Sequence, residues 1–214
     1  KSGYSVACAN EWKHGICYKP QIKCSDCKSR QLLPITQEVL YSHLTGQKVI
    51  GIYPLLATDQ CRLLAVDFDK SDWKNCVTAF SEACLSLNIP FLVERSRSGN
   101  GAHVWIFFSE PIAAKQARLM GAGILDKAME LYPALDFESY DRMFPNQDHM
   151  PAGGFGNLIA LPLQKHARAL GNSTFIDSNF NAFTDPWTVL QQTELMSSSE
   201  VNNIVNELGY NFIE

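Results

Sequence analysis

Leu63-Leu64-Ala65-Val66-Asp67-Phe68-Asp69 joins an apolar run to two acids that are separated by one residue. Side chains of a β-strand alternate between its two faces, so Asp67 and Asp69 share one face with their Cα atoms about 7 Å apart. Two carboxylates on one face repel each other unless a cation lies between them, and a divalent metal ion is the usual one. This stretch therefore predicts a buried strand that ends in a metal site, and it makes metal-dependent phosphoryl transfer the candidate chemistry.

The composition is that of a globular protein. The 214 residues are 46% hydrophobic and 19% charged, and no apolar run approaches the roughly 20 residues that a bilayer-spanning helix needs. We therefore predict a soluble protein that does not act in a membrane. The chain begins with Lys1 rather than Met, and its first residues do not form a signal peptide, which indicates a piece of a longer polypeptide.

Charge is distributed unevenly along the chain. Residues 1–30 contain six basic and two acidic residues, a local charge of +4, so residues 31–214 carry −8 within the total of −4. A basic N-terminal module beside an acidic active site would produce this asymmetry. A charge excess on a solvated surface would produce it equally well.

Four of the seven cysteines fall in the first 27 residues, with the spacing Cys8-x8-Cys17-x6-Cys24-x2-Cys27. The last pair has the spacing of a zinc knuckle, and the intervals between the cysteines contain little that can form a core. We predict a zinc-binding module at residues 1–35. Four thiolates fill a tetrahedral site, so the zinc ion is expected to be structural rather than catalytic.

Two alternatives to four-thiolate zinc ligation remain open. His14 can replace one of the four ligands, and the same cysteines can form two disulfides. Cys61, Cys76 and Cys84 are scattered in apolar contexts without a fourth partner, which favours a reducing compartment and hence zinc.

Hydrophobic periodicity and turn residues predict an α+β sandwich of the split-βαβ kind, with a sheet backed by helices. The catalytic core is expected at 36–190 and a C-terminal helical segment at 191–214. The first predicted elements are a helix capped by Thr36 with apolar face Val39, Leu40 and Leu44, and strands at 49–53 and 62–69. A helix capped by Ser71 that ends near Asn88, a hairpin of 91–94 and 104–108, and a helix from Pro111 to Leu131 follow. The last predicted elements are a loop over 132–156, strands at 158–161 and 173–176, and a helix at 200–208.

The hairpin turn Ser98-Gly99-Asn100-Gly101 is flanked by Arg95, Arg97 and His103. Glycine permits close backbone approach, so peptide N–H groups can line an anion site to which arginine and histidine add donors. The turn is a candidate triphosphate cradle. Read alone, such a turn more often only closes a hairpin, and a lone histidine on a strand is more often structural.

Two-metal phosphoryl transfer usually requires a third carboxylate from another element. Asp136, Asp141 and Asp148 are the candidates. Further along, Lys165 and Arg168 lie in a basic segment without acids, for which a nucleic-acid backbone or a nucleotide phosphate is the expected partner.

Several motifs together resemble the archaeo-eukaryotic primase superfamily, the primase-polymerases. Asp67-Phe68-Asp69 is similar to its paired-acid strand, and Gly101-Ala102-His103 to its small-x-His strand, with Gly where Ser is commoner. The branch found in TOTE conflict systems is the most similar, over almost the whole chain from Cys8 to about Trp187. The strings that carry this resemblance are Cys8-Ala9-Asn10-Glu11-Trp12, Glu94-Arg95-Ser96-Arg97-Ser98-Gly99-Asn100-Gly101, Ser139-Tyr140-Asp141-Arg142 and the segment 153–164.

The resemblance implies a primase-polymerase core with an RRM-like sheet and template-directed nucleotide addition with two Mg²⁺ or Mn²⁺ ions. Asp67, Asp69 and a third acid, for which we take Asp141, would hold the metals. The incoming nucleotide would be bound by His103, Arg97, Ser98, Asn100 and Gly101.

The implied partners are a DNA template or primer, nucleoside triphosphates, and helicase and nuclease domains of a bacterial or mobile-element system in the cytoplasm. Two rival hypotheses remain: a metal-dependent nuclease, and a non-catalytic zinc-containing module that binds nucleic acid.

Overall fold

The computed structural model describes residues 5–210, which form a mixed α+β fold. The outermost residues of the predicted N-terminal module and C-terminal segment, 1–4 and 211–214, lie outside this range. The elements are α1 (Gln37–Leu44), β1 (Gly51–Ile52), β2 (Gln60–Asp69), α2 (Trp73–Ser86), β3 (Leu92–Arg95), β4 (Gly101–Ala113), α3 (Ala114–Leu131), β5 (Tyr140–Phe144), β6 (Ile159–Ala160), α4 (Lys165–Arg168), β7 (Thr174–Ile176), α5 (Pro186–Gln192) and α6 (Ser198–Glu207).

The central sheet has five strands in the order β5-β2-β4-β3-β7, and every neighbouring pair is antiparallel. Strand β2 therefore lies between β5 and β4. Strands β1 and β6 pair with each other in a separate antiparallel two-stranded sheet. The predicted hairpin is confirmed, because β3 and β4 pair directly across the 96–100 turn.

The two faces of β2 differ in what they contact. Leu64, Val66 and Phe68 point into the main core, which α2, α3 and α6 also line. Ala65 lies on the opposite face, in a smaller apolar cluster with Trp105. Side-chain alternation gives Asp67 and Asp69 the same face as Ala65, away from the three helices.

Helix α2 was predicted well, and helix α3 was predicted to begin too early. Trp73, Val77, Phe80 and Cys84 of α2 are all buried, although the residue before the helix is Asp72 rather than Ser71. Pro111 belongs to β4 and not to the first turn of α3. It lies opposite the register shift between Cys61 and Leu63, where the missing proline N–H breaks no regular ladder.

The predicted loop over 132–156 contains strand β5, and helices α4 and α5 also escaped prediction. Strand β5 has the sequence Tyr-Asp-Arg-Met-Phe, in which two charged residues interrupt the apolar alternation. Helix α4 has only four residues. Helix α5 is short but has clear signals, since Asp185 accepts hydrogen bonds from two backbone N–H groups and Pro186 occupies the first turn.

Residues 5–35 form turns with one isolated β-bridge between Cys8 and Leu32, and Arg30 is one of the residues that contact the rest of the chain. Its guanidinium donates to the carbonyl of Gly153 at 2.8 Å and lies 4.9 Å from the centre of the Phe155 ring. At the other end, α6 contributes Val201 and Val205 to the main core. The division at 35/36 and 190/191 stays a prediction. Among residues 5–210, no helix is long and apolar enough to cross a membrane.

Helix α1 buries a histidine rather than the predicted apolar face. Leu40 is 38% exposed, whereas His43 is 1% exposed. The backbone N–H of Ile50 donates to Nδ1 of His43 at 3.2 Å, so Nε2 carries the proton and donates to the carbonyl of Pro162 at 2.9 Å. The two hydrogen bonds of the imidazole thereby connect α1 to the residue before β1 and to the segment after β6, the two strands of the small sheet.

We expect His43→Ala to lower the free energy of unfolding by about 2–5 kcal/mol, because it removes a buried ring and leaves one part-buried N–H and one part-buried carbonyl without partners. Urea unfolding under reducing conditions measures the change. Tyr41→Ala on the same helix, where the side chain is 65% exposed, is the matched control and should stay within about 0.5 kcal/mol of the parent. Equal losses in the two variants would contradict the structural role of His43.

Candidate active site

Three neighbouring strands meet at the acid-bearing end of β2. Asp67 is the partner of His103 on β4 and of Arg142 on β5, and Asp69 is the partner of Gly101. Asp67 is half-buried, while Asp69 is exposed at the end of the strand. The site is therefore open to solvent on one side and backed by the sheet on the other.

Gly101 allows β4 to begin directly against β2. A Cβ atom at this position would lie 2.5 Å from the carbonyl oxygen of Phe68, a contact that real Cβ atoms do not make. Any larger residue must push the backbone that carries Asp69. This explains why glycine stands at this position of the small-x-His motif.

A bulge in β5 brings Asp141 to the site. Phe68 pairs with Tyr140 and Asp67 pairs with Arg142, so Asp141 is the extra residue on β5. Bulges re-aim side chains at the ends of strands. Asp141 is exposed, forms an ion pair with Arg142, and is close enough for its charge to act on Asp67.

The other two acids have different surroundings. Asp148 pairs with Arg118 of α3, and its side chain is 34% exposed. The carboxylate of Asp136 accepts from the backbone N–H of Glu138 within its own turn. Of the three candidates for the third carboxylate, Asp141 is the one whose charge acts on Asp67.

Burial and charge act together on Asp67. Burial raises its pKa, the positive charge of His103 lowers it, the negative charges of Asp141 and Asp69 raise it, and Arg142 lowers it; the net direction is upward. Three carboxylates, of Asp67, Asp69 and Asp141, thus face two basic neighbours, His103 and Arg142, at this strand end. A bound cation would relieve this repulsion, and carboxylate oxygens are the ligands that Mg²⁺ and Mn²⁺ prefer.

His103 lies between two carboxylates. Its Nε2 is 3.5 Å from Oδ1 of Asp67, and its Nδ1 is 3.0 Å from Oε2 of Glu94. Burial lowers the pKa of His103, but the hydrogen bond and charge of Glu94, with the charge of Asp67, outweigh burial and raise the pKa. The two carboxylates thus favour the protonated form of His103.

A family model described as TOTE conflict system, Archaeo-Eukaryotic Primase domain matches residues 1–204. The chain belongs to this family. Its membership confirms the resemblance and implies a primase-type nucleotidyltransferase that interacts with nucleic acid and nucleotides. Comparison with curated proteins gives no match.

Glu94 is the residue of this primase domain's site that sequence reasoning missed. It is 2% exposed, and its carboxylate accepts from the side chains of His103, Trp105 and Ser173. In the sequence it reads as the polar end of a short strand. The signal that could have revealed it is the short turn, because a tight hairpin fixes the register that sets Glu94 opposite His103.

The turn residues of the primase domain have separate environments. Ser98 accepts from the backbone N–H of Asn100, so this N–H is occupied within the turn. Arg97 is exposed and lines an open pocket with Lys48, His166 and Gln164, and no acidic residue among residues 5–210 lines that pocket. Arg95 donates to the backbone carbonyls of residues 171 and 180 and therefore has a structural role.

The two predicted nucleic-acid contacts of the primase domain lie on α4. Lys165 is exposed, and the guanidinium of Arg168 lies 5.6 Å from the centre of the Trp187 ring. Trp187 itself is 44% exposed. Arg168 thus presents positive charge beside an accessible aromatic ring.

Cys8, Cys17, Cys24 and Cys27 line one cavity of about 30 Å³ in the N-terminal module. All four are free thiols. The Sγ atom of Cys8 accepts from the backbone N–H groups of Gln31 at 3.2 Å and Asn10 at 3.4 Å, and these two hydrogen bonds lower the pKa of Cys8.

Within residues 5–210, neither the cysteines nor the acids form a group of three or more side chains close enough together to hold a metal ion. The donor types nevertheless suit the ions expected at each place. Thiolates that receive N–H hydrogen bonds are suited to zinc, and clustered carboxylates to magnesium or manganese.

Proposed function

We propose that this primase domain is a template-directed nucleotidyltransferase that extends a nucleic-acid 3′ end or starts a primer, with two divalent ions. The observation that carries the proposal is the convergence of Asp67, Asp69, Asp141 and His103 at one end of β2, on the face away from the helices. Family membership supports the same chemistry.

Asp67, Asp69 and Asp141 are the proposed ligands of the two ions. Ions held there would lower the pKa of the attacking 3′-hydroxyl and stabilise the leaving pyrophosphate. In the structure, Asp141 forms an ion pair with Arg142. The guanidinium therefore already neutralises part of the carboxylate charge that a metal ion would neutralise. We propose that Asp141 exchanges this partner for metal when substrate binds.

His103 and Arg97 are the proposed triphosphate contacts, with Ser98, Asn100 and Gly101 shaping the turn beside them. Protonation, which both carboxylates favour, would give His103 an Nε2–H that can donate to a phosphate oxygen. In the described part of the chain, the pocket that Arg97 shares with Lys48 and His166 has no acidic lining residue, and it suits a further phosphate. Lys165 and Arg168 are proposed to contact the nucleic-acid backbone.

We also propose that the core is the RRM-like split-βαβ arrangement. In support, β2 and β3 run parallel with β4 between them, α2 connects β2 to β3, and α3 connects β4 to β5. This is the connectivity of two βαβ units that share one antiparallel sheet. The helicase and nuclease partners remain part of this proposal.

An extension assay tests the proposed activity. We expect incorporation of labelled ribo- or deoxynucleotides with Mn²⁺ or Mg²⁺, on primed or unprimed templates. Asp67→Asn should lower incorporation by more than about a hundredfold, because loss of a residue that merely supports a metal ligand already costs 10- to 100-fold. Glu130→Gln, on an exposed face of α3, is the control and should retain full activity.

Two results would contradict the proposed activity. Degradation of the nucleic acid without extension would indicate a nuclease. Equal incorporation by Asp67→Asn and the parent protein would remove Asp67 from the reaction.

The choice of third acid has its own test. We expect Asp141→Asn to lower incorporation by more than about a hundredfold, whereas Asp148→Asn keeps activity near that of the parent. The partly exposed ion pair of Asp148 with Arg118 contributes at most about 1 kcal/mol to folding, so its loss leaves the fold intact. The reverse ranking of the two variants, measured under the same extension conditions, would assign the third carboxylate to Asp148.

We propose one structural zinc ion held by Cys8, Cys17, Cys24 and Cys27. The cavity that these cysteines line has the size of one small ligand, and the N–H hydrogen bonds to Cys8 favour its thiolate. A four-thiolate site leaves no position for substrate, so the ion supports the module rather than the chemistry.

Metal analysis of protein purified under reducing conditions should find about one zinc per chain. Cys24→Ser should lose most of this zinc, because three ligands hold the ion more weakly than four. Cys84→Ala, which removes a buried thiol from α2, should retain it. Protein without zinc in which the four cysteines form two disulfides would refute the zinc site.

A further inference from the structure

Glu94 is a buried carboxylate that accepts hydrogen bonds from three side chains. Its Oε2 lies 3.0 Å from Nδ1 of His103 and 2.9 Å from Nε1 of Trp105, and its Oε1 lies 3.4 Å from Oγ of Ser173. Burying an ionised carboxylate is costly, so a residue with only a packing role would be expected to be apolar here.

We propose that Glu94 is a positioning residue that fixes the tautomer and ring orientation of His103. The orientation of His103 by Glu94 does not depend on the proposed function. Only the effect of that orientation on catalysis rests on the proposed function. A carboxylate oxygen accepts, so Nδ1 must carry a proton and donate to Glu94. Nε2 is thereby directed to the acid-bearing edge, where it lies 3.5 Å from Oδ1 of Asp67.

Trp105 and Ser173 hold Glu94 itself in place. The indole N–H of Trp105 can only donate, so Oε2 of Glu94 must be the acceptor of this hydrogen bond, whichever tautomer His103 has. The Trp105 ring is 2% exposed and meets the His103 ring edge to face, with the centroids 6.0 Å apart. Ser173 immediately precedes β7, so the carboxylate is bonded both from β4 and from the segment that leads into β7.

The orientation of His103 therefore depends on the buried sheet and not on the exposed 96–100 turn. Glu94 does not reach the solvent side of the site and cannot touch substrate, because it is 2% exposed. It acts through His103 alone. This arrangement resembles the carboxylate–histidine pairs of other functional sites. In those pairs, a carboxylate accepts from one ring nitrogen and so fixes the tautomer of a functional imidazole.

Nitrogen NMR of ¹⁵N-histidine-labelled protein tests the tautomer directly, with the His103 signal identified by its absence in His103→Ala. At a pH where the ring is neutral, the parent protein should show the proton on Nδ1. Glu94→Leu should move it to Nε2, where Asp67 supplies an acceptor. An Nε2–H tautomer in the parent protein would overturn the proposal whether or not Glu94→Leu folds, and so would an unchanged Nδ1–H tautomer in that variant.

A double-mutant cycle separates positioning from general support of the fold. We expect Glu94→Leu to lower incorporation efficiency by about 10- to 100-fold, mainly through a higher KM for the nucleotide. In the His103→Ala background the same substitution should have no further effect, since Glu94 has lost the residue through which it acts. Additive losses would overturn the proposal.

Glu94→Gln keeps an acceptor oxygen and should retain the Nδ1–H tautomer. Loss of that tautomer in Glu94→Gln would contradict a role that depends on the accepting oxygen. The NMR result does not depend on enzymatic activity. A parent protein with the expected tautomer and no incorporation would therefore refute the proposed function while leaving the positioning role of Glu94 intact.

Discussion

The site depends on one constraint, the antiparallel pairing of β2 with both β4 and β5. This pairing lets a single strand carry apolar residues toward the helices on one face and acids toward the site on the other. It also determines which side chains stand beside those acids. His103 comes from one neighbour and Asp141 from the other, so a slip of one residue in either register would send them to the helical face.

Local sequence signals predicted the parts of the fold that form locally. These signals depend on neighbours within about a dozen residues. They are the apolar run and acids of β2, the apolar period of α2 and the tight turn between β3 and β4. Strand β5 could not be found in this way. Its charged residues belong to the site, and its bulge exists only in relation to β2, so its pattern is not that of a half-buried strand.

The same distinction applies to the candidate site. The sequence pattern identified the paired acids and His103 as candidates because their residue types are unusual on an apolar strand. Glu94 gave no such signal, since a glutamate at a strand end is normally exposed, and its role appears only when the hairpin register sets it against His103 and Trp105. His43 is a similar case, because its burial depends on segments 7 and 119 residues away.

The charged residues of the site differ in burial, and this bears on the proposed mechanism. Glu94 and His103 are fixed by buried hydrogen bonds, whereas Asp69, Asp141 and Arg142 are exposed. An exposed ion pair is held by little free energy, so the pair of Asp141 with Arg142 can open at low cost when a stronger cation arrives. In the proposed mechanism, the buried members would therefore set where a phosphate binds, and the exposed members would adjust to the metal. A site with all of its charges buried would hold the same residues together but would oppose that exchange.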